Sequence, residues 1–134
     1  MKPFTLILNA ATQSESISGV TCFVGEDTSG SFGILANHRR FMTSLVIGLA
    51  RFRLGLDQWK YLALPGGVLY FHDNMLTVST RRYFTDDDYM RISQTLQQQL
   101  LDEEEKLRAT KQSLHNMEQA ILKRLWESSR QVQS

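Results

Sequence analysis

The stretch Leu64–Val78, LPGGVLYFHDNMLTV, contains two predicted β-strands and the residues that delimit them. Val68–Phe71 is an apolar run, and Met75–Thr80 mixes apolar with β-branched side chains. His-Asp-Asn lies between the two runs, and Asp and Asn favour turns because their short side chains tolerate the backbone angles that turns need. Pro65, Gly66 and Gly67 mark a further turn before the first run. The stretch therefore predicts a β-hairpin.

The sequence before this hairpin contains further short apolar runs that are separated by turn residues. Several alternate with a period of two, as in Phe4, Leu6 and Leu8, which is typical of half-buried strands. The same alternation places Cys22 among the core side chains. Regular strand and turn spacing without intervening helices predicts an antiparallel β-sandwich. The other predicted strands are Phe4–Leu8, Val20–Val24, Phe32–Leu35, Gly48–Leu54 and Trp59–Leu64.

The composition of the chain changes near Thr85. All eight glycines and both prolines lie at or before Gly67, and 11 of the 13 aromatic residues lie at or before Phe84. Since strands and tight turns need such residues and helices do not, the change indicates a domain boundary. We predict a β-sandwich domain over residues 1–84 and a helical domain over residues 85–134.

The second half has the signals of an α-helix. Thr85 and Asp88 have the spacing of a capping box, in which each side chain bonds to a free backbone amide at the helix start. One apolar row recurs every seven residues, but the row three positions further on is mostly polar. A self-sufficient coiled coil needs both rows to be apolar. The pattern therefore favours a helix that packs on another surface or folds back on itself. The sequence leaves a helical hairpin and one long helix both open. The apolar row is Leu100, Leu107, Leu114 and Ile121, and the companion row is Glu103, Thr110, Met117 and Arg124.

Composition argues against several classes of function. The chain has 15 basic and 14 acidic residues, so its net charge of +1 does not favour nucleic-acid binding. No segment approaches the roughly 20 apolar residues of a membrane span, and the single cysteine suits a reducing compartment. Three dispersed histidines form no zinc-ligand pattern, and no nucleophile motif or phosphate loop occurs. We therefore expect a soluble protein that is not an enzyme and holds no metal or required cofactor.

Candidate partner-binding residues lie in a loop and near the helix end. The loop His38-Arg39-Arg40 follows two glycines three residues apart, and loop tips often dock partners. The basic residues near the helix end favour an acidic partner surface, although cations there also complement the helix dipole. Trp126 lies in a mostly polar segment and needs a neighbour to cover it. The candidates for partner binding on the helix are Lys123, Arg124, Trp126 and Arg130. The aromatic residues of the sandwich that are candidates for an interface are Phe52, Trp59, Tyr61 and Tyr70.

Two segments carry a family resemblance. GSFGILANH, Gly30–His38, resembles the Gly-x-x-Gly-Ile-Leu-x-x-His segment of the epsilon subunit of F-type ATP synthases. LPGGVLYFHDNMLTV resembles the Gly-Gly-Phe hairpin and Asn-x-Val-Thr-Val of the same family, and the order of sandwich and helix also agrees. The resemblance implies a non-catalytic central-stalk subunit that binds the gamma subunit and the c-ring. It further implies that the helices reach the alpha and beta subunits and restrain ATP hydrolysis.

The resemblance also implies a ligand and a location. Some members of the family bind ATP through Asp-x-x-Arg-Ala, and here Asp88 and Arg91 match while Ile92 replaces the alanine. The implied location is the cytoplasmic face of a bacterial plasma membrane, with membrane attachment only through the complex. The coupling ion, proton or sodium, is not encoded in this chain. A different class of protein, a free-standing prefoldin-like chaperone or adaptor with a β body and a helical arm, is the alternative.

Overall fold

The computed structural model describes the backbone of residues 2–133 and the side chains of residues 2–129. Within that range the chain forms strands followed by one α-helix. The predicted β-sandwich followed by a helix is therefore confirmed. The elements are β1 (Phe4–Asn9), β2 (Ser14–Asp27), β3 (Gly30–Ile34), β4 (Phe41–Leu45), β5 (Gly48–Leu54), β6 (Gln58–Leu64), β7 (Gly67–His72), β8 (Met75–Ser79), β9 (Phe84–Asp86) and α1 (Tyr89–Gln133).

The strands are hydrogen-bonded in the order β4-β7-β8-β1-β2-β5-β6-β9, and β3 pairs with β2 on the edge opposite β5. The long strand β2 belongs to both layers of the sandwich, because its first part pairs with β1 and its second part pairs with β3 and β5. The first layer is thus β4, β7, β8, β1 and the start of β2. All pairings are antiparallel except that of β1 with β8, which is parallel.

A bulge in β2 changes which side chains point inward. Phe4 pairs with Val20 but Leu6 pairs with Ile17, so the register shifts at Ser18-Gly19, where Gly19 has φ of 78°. A second shift follows between Val20 and Cys22. As a result Val20, Thr21 and Phe23 are buried, whereas Cys22 is only half-buried. The expectation that Cys22 belongs to the core was wrong, since plain alternation does not account for a bulge.

The core lies between the two layers and consists of the inward-facing residues of nearly every strand. Leu6 and Leu8 of β1, Phe52 of β5 and Phe71 of β7 are fully buried. Phe71 packs edge-to-face on Phe4, with ring centroids 5.6 Å apart. Burial of such side chains is the main term that stabilises a sandwich of this size. Phe52, a sequence candidate for an interface, is a core residue instead.

The hairpin of β7 and β8 forms as predicted, and its glycines have different roles. Asp73 and Asn74 at the turn both have positive φ, 51° and 57°, which short polar side chains tolerate. Gly66 needs its positive φ of 114° to turn the chain. Gly67 lies so close to β8 that a Cβ there would be 2.5 Å from the carbonyl oxygen of Ser79. Only glycine allows this approach.

Two strands were not predicted from sequence, and the helix begins later than expected. β4 follows the His38-Arg39-Arg40 loop directly, and β9 occupies residues assigned to the start of the helix. Because Thr85 lies in β9, it does not cap the helix; the Asp88 side chain accepts from the backbone N–H of Met90 at 3.0 Å and of Arg91 at 3.3 Å instead. Asp88 is therefore the N-cap.

Of the two forms left open, one helix extends over Tyr89–Gln133. The chain divides into a compact unit of residues 1–96 and a second unit of residues 97–134. The first unit includes the start of the helix, where Tyr89 contacts Tyr61 with ring centroids 5.5 Å apart and Ile92 is buried. The predicted boundary between residues 84 and 85 stays a prediction.

Candidate functional site

The loop between β3 and β4 places basic side chains at one end of the sandwich. Asn37 and Asn74 fix the loop to the β7–β8 turn, with the Asn37 N–H donating to Asn74 Oδ1 at 2.6 Å and Asn74 Nδ2 donating to Asn37 Oδ1 at 3.0 Å. Arg39 and Arg40 are exposed. The Arg40 guanidinium lies against the ring of His72, with nitrogen atoms 3.3–3.4 Å apart. We call His38, Arg39, Arg40 and His72 the basic rim.

His38 has a structural part in this rim. Its ring is half-buried between Phe41 and Phe71, with centroid distances of 5.7 and 5.8 Å. Its Nδ1 lies 2.8 Å from the carbonyl oxygen of Arg39. These contacts orient the loop, so the exposed guanidinium groups of Arg39 and Arg40 are the part of the predicted tip that is available to an anionic partner surface.

The outer surface of the first layer carries no Asp, Glu, Lys or Arg among the residues that strand alternation directs outward. Met42, Val68 and Met75 are 66%, 46% and 48% exposed there, and Tyr70 is half-buried. Cross-strand pairing places Met42 beside Tyr70, and Tyr70 beside Thr77. We call this surface the uncharged face; apart from His72, which is assigned to the basic rim, its members are Thr5, Ile7, Asn9, Ser14, Ser16, Met42, Ser44, Val68, Tyr70, Met75, Thr77 and Ser79.

The outer surface of the second layer has a different chemistry. Arg51 and Arg53 of β5 lie over the ring of Trp59 at 4.9 and 5.6 Å. Glu26 and Asp86 add acidic groups on the same side. Sequence reasoning assigned Trp59, Tyr61 and Tyr70 to one set of candidates. The structure places Tyr70 on the uncharged face and the other two on the opposite layer, because β6 and β7 belong to different layers.

The start of the helix holds the two candidate nucleotide contacts. Arg91 pairs with Asp86, with Nε 2.5 Å from Oδ2, and its second nitrogen lies 3.3 Å from Asp87. The hydrogen bond from Arg91, followed by that from the Asp88 N–H, holds the pKa of the Asp86 carboxyl well below its ordinary value. Asp88 is the N-cap, and Ile92 is buried. Asp88, Arg91 and Ile92, the three positions compared with the nucleotide-binding motif, thus each have a local structural role.

The remaining candidates lie on the helix within residues 97–134. Lys123 and Arg124 are exposed, and Trp126 is 62% exposed. The side chain of Arg130 lies outside the described residues. The apolar row of this segment is also exposed, with values of 55–56% for Leu107, Leu114 and Ile121. An exposed apolar row of this length is typical of a surface that binds another protein.

Neither a metal-ligand cluster nor a membrane-spanning helix occurs among the described residues. No group of three or more His, Cys, Asp or Glu side chains among residues 2–129 is arranged to hold a metal ion. Over the part of the chain that the structure covers, the helix lacks the long apolar segment needed to cross a membrane. Of the candidate surfaces, the uncharged face is the one that sequence reasoning missed. The lack of charged residues at the outward positions can be read from each strand separately, but only the strand order brings these positions together on one surface.

Comparison with known proteins identifies the fold family. Residues 6–85 match the family model of the ATP synthase delta/epsilon chain, beta-sandwich domain. Chloroplastic ATP synthase epsilon chains from Marchantia polymorpha and Atropa belladonna are 39% and 36% identical to this chain, over 52% and 69% of its length and 52% and 72% of theirs. ATP synthase epsilon chain 2 of Cereibacter sphaeroides is 32% identical over 71% of this chain and 64% of its own length.

Solved structures support the same fold. A chain in the mitochondrial ATP synthase central stalk/c-ring of Tetrahymena thermophila superposes with a TM-score of 0.50 at 15% identity, over 60% of this chain and 64% of that one. A chain in the OSCP/F1/c-ring structure of Euglena gracilis mitochondrial ATP synthase gives a TM-score of 0.56 at 16% identity, over 69% and 61%. The alignments thus span about half to two thirds of several of these relatives. The family model nevertheless matches more than half of the chain, which belongs to the ATP synthase delta/epsilon family.

Proposed function

We propose that this chain is the epsilon-like subunit of the central stalk of an F-type ATP synthase, and that it joins the rotor to the catalytic head without carrying out chemistry. The observation that carries the proposal is the uncharged face beside the basic rim in a sandwich of this family. A protein that couples other subunits needs two rigid contact surfaces with different partners. The uncharged face and the basic rim are two such surfaces on one compact unit.

The uncharged face suits a permanent protein partner, for which the family offers the gamma subunit. Its exposed apolar side chains Met42, Val68 and Met75 are flanked by hydroxyl groups, and no charge has to be desolvated when a partner covers them. A flat sheet face also keeps its shape when it binds, so little conformational entropy is lost.

The basic rim suits a polar partner that carries acidic groups. Arg39 and Arg40 are exposed, and Arg40 is oriented by its contact with His72. The c-ring is one of the two partners that the resemblance implies for the sandwich, and we assign it to this loop; the Tetrahymena neighbour comes from a central stalk/c-ring assembly. Contact with the c-ring would make the subunit a peripheral component of a membrane complex. The cytoplasmic face of a bacterial plasma membrane is the location proposed here; the relatives include both chloroplastic and bacterial chains.

The helical segment is proposed to reach the catalytic alpha and beta subunits and to restrain ATP hydrolysis. Its exposed apolar row suits apolar contacts with these subunits, and the cations Lys123, Arg124 and Arg130 suit contacts with their acidic groups. Trp126, which is 62% exposed, is the aromatic anchor that a partner would cover. Removal of residues 108–134 is expected to raise ATP hydrolysis by the assembled complex; unchanged hydrolysis would eliminate the inhibitory role.

ATP is proposed as a regulatory ligand at Asp88 and Arg91. Because Arg91 pairs with Asp86, nucleotide must compete with that carboxylate. Calorimetric titration of Mg-ATP into the chain and into Asp86→Ala, in which Arg91 loses its closest carboxylate and keeps the longer contact with Asp87, tests this. We expect the substitution to strengthen binding, and no heat from either protein at millimolar nucleotide would refute the site.

The docking proposal is tested by purification of the complex with one altered surface residue. Val68→Glu introduces a carboxylate on the uncharged face between Ser44 and Ser79 and is expected to abolish co-purification with the gamma subunit. Leu56→Glu is the matched control, because Leu56 is 76% exposed in the turn between β5 and β6 and lies outside that face. If Val68→Glu folds normally and still co-purifies with gamma, the uncharged face is not the docking surface.

A further inference from the structure

The helical segment, whose apolar row and basic residues the rotor proposal assigns to the alpha and beta subunits, also carries acidic and basic groups at different positions along its length. Within residues 97–134, Asp102 and Glu103–Glu105 form an acidic group before the middle of the segment, and Lys123 and Arg124 form a basic pair after it. Leu107, Leu114 and Ile121 of the exposed apolar row are evenly spaced between these groups. The apolar row is therefore evenly spaced about Leu114, with the acidic group before it and the basic pair after it, while Lys106 and Arg108 follow the acidic group directly.

We propose that the helical segments of two copies of this chain pair in antiparallel orientation, with the two-fold axis near Leu114. In that arrangement Leu114 meets Leu114 of the second copy, and Leu107 meets its Ile121. An α-helix rises about 1.5 Å per residue, so equal spacing of seven residues on either side of Leu114 keeps the apolar contacts in register. The inference does not depend on the rotor proposal, since it concerns the subunit on its own.

The polar companion row explains why the orientation is antiparallel. The row contains Glu103 and Arg124 at its ends, 11 residues before and 10 residues after Leu114. Antiparallel pairing places Glu103 of one copy opposite Arg124 of the other, whereas parallel pairing would place Glu103 opposite Glu103. Like charges that face each other in an interface are destabilising, and opposite charges fix the register.

A second charge pair lies closer to the axis. Lys111 comes four residues after Leu107, and Glu118 comes four residues after Leu114, so both flank the apolar row on the same side. They are three residues before and four residues after Leu114. In an antiparallel pair the same flanks of the two helices meet, and Lys111 of each copy faces Glu118 of the other. Both charge pairs, Glu103 with Arg124 and Lys111 with Glu118, are thus complementary in the antiparallel arrangement.

The test uses sedimentation equilibrium of the full chain. The wild-type chain is expected to dimerise in the micromolar range, more weakly as salt rises, because exposed charge pairs are screened. Lys111→Glu and Glu118→Lys each create two like-charge contacts across the dimer and are expected to raise its dissociation constant by about tenfold or more. An equimolar mixture of the two variants restores both opposite-charge contacts and is expected to form a heterodimer.

Glu105→Lys is the matched control, because position 105 lies on the side of the helix opposite the apolar row while its substitution changes the net charge as Glu118→Lys does. It is expected to dimerise like the wild type. Circular dichroism verifies that each variant keeps its helix. A wild-type chain that stays monomeric, a dimer that both charge variants leave unchanged, or a mixture that does not associate would each overturn the proposal. None of these results depends on co-purification with gamma.

Discussion

The sandwich and the helical segment use the same kinds of apolar residue with opposite outcomes. In the sandwich, Leu6, Phe52 and Phe71 are fully buried, whereas Leu107, Leu114 and Ile121 of the helix are more than half exposed. A sheet folded onto itself covers its own apolar face, but a lone helix cannot, because its apolar row has no second layer. The difference shows that the apolar side chains of the sandwich are covered within their own unit, whereas those of the helical segment remain exposed.

The largest effect on stability is expected from a core substitution in the sandwich. Phe71→Ala removes a fully buried ring that packs on Phe4 and His38, and the cavity is expected to cost about 3–5 kcal/mol of the free energy of unfolding. Urea denaturation measures this change. Val68→Ala on the exposed side of the same strand is the control, with a much smaller loss. Similar losses for the two variants would contradict the division into core and outer face.

The first turns of the helix belong to the sandwich unit, so the next effect is expected there. Ile92 is buried although it is on the helix, and Ile92→Ala is expected to cost about 2–4 kcal/mol in the same denaturation experiment. Met90→Ala, at a position that is 66% exposed, is expected to cost little. If Ile92→Ala leaves the stability unchanged, the helix start is not anchored to the sandwich.

The start of the helix depends on its N-cap residue, Asp88. Asp88→Ala removes the acceptor for the N–H groups of Met90 and Arg91 and is expected to cost about 1 kcal/mol, while Asp88→Asn keeps an acceptor and loses less. Thermal unfolding followed by circular dichroism distinguishes the two variants. Thr85→Ala is expected to leave the helix intact, because Thr85 lies in β9; a larger loss for Thr85 than for Asp88 would restore the original capping assignment.

The smallest effect is expected in the helical segment. Leu101 is 59% exposed and lies off the apolar row, so Leu101→Ala is expected to change the free energy of unfolding by less than about 0.5 kcal/mol. The measurement is made on the isolated chain at low concentration. A loss comparable with that of Phe71→Ala would mean that the segment packs against its own chain and needs no partner.

The positions of most strands were predictable because their apolar and turn residues are adjacent in sequence. The β7–β8 hairpin is the clearest example, since Pro-Gly-Gly and His-Asp-Asn delimit both strands. The bulge at Ser18-Gly19 was not predictable from alternation, and it placed Cys22 outside the core. β9 was missed because three residues are too few to show a period, and a helix-capping pattern overlapped them.

The candidate surfaces were predictable only where their residues are consecutive. The His38-Arg39-Arg40 loop was found because it is one short segment, but its contact with His72 joins residues 32 or more positions apart. The uncharged face draws on five strands, and no single stretch of sequence indicates that their outward positions share one surface. The side chains of Arg91 and Asp86 likewise became a pair only when β9 and the helix were placed.

The sequence by itself determined the two kinds of secondary structure, the family to which the chain belongs and the apolar row of the helix, because each depends on residues that are near neighbours along the chain. Tertiary structure decided the strand order, the register after the β2 bulge and the composition of each outer face. The physical reason is that strands find their neighbours through burial and hydrogen bonds between distant segments. Short-range periodicity specifies which side of a strand is apolar, whereas the strand order specifies which apolar sides meet.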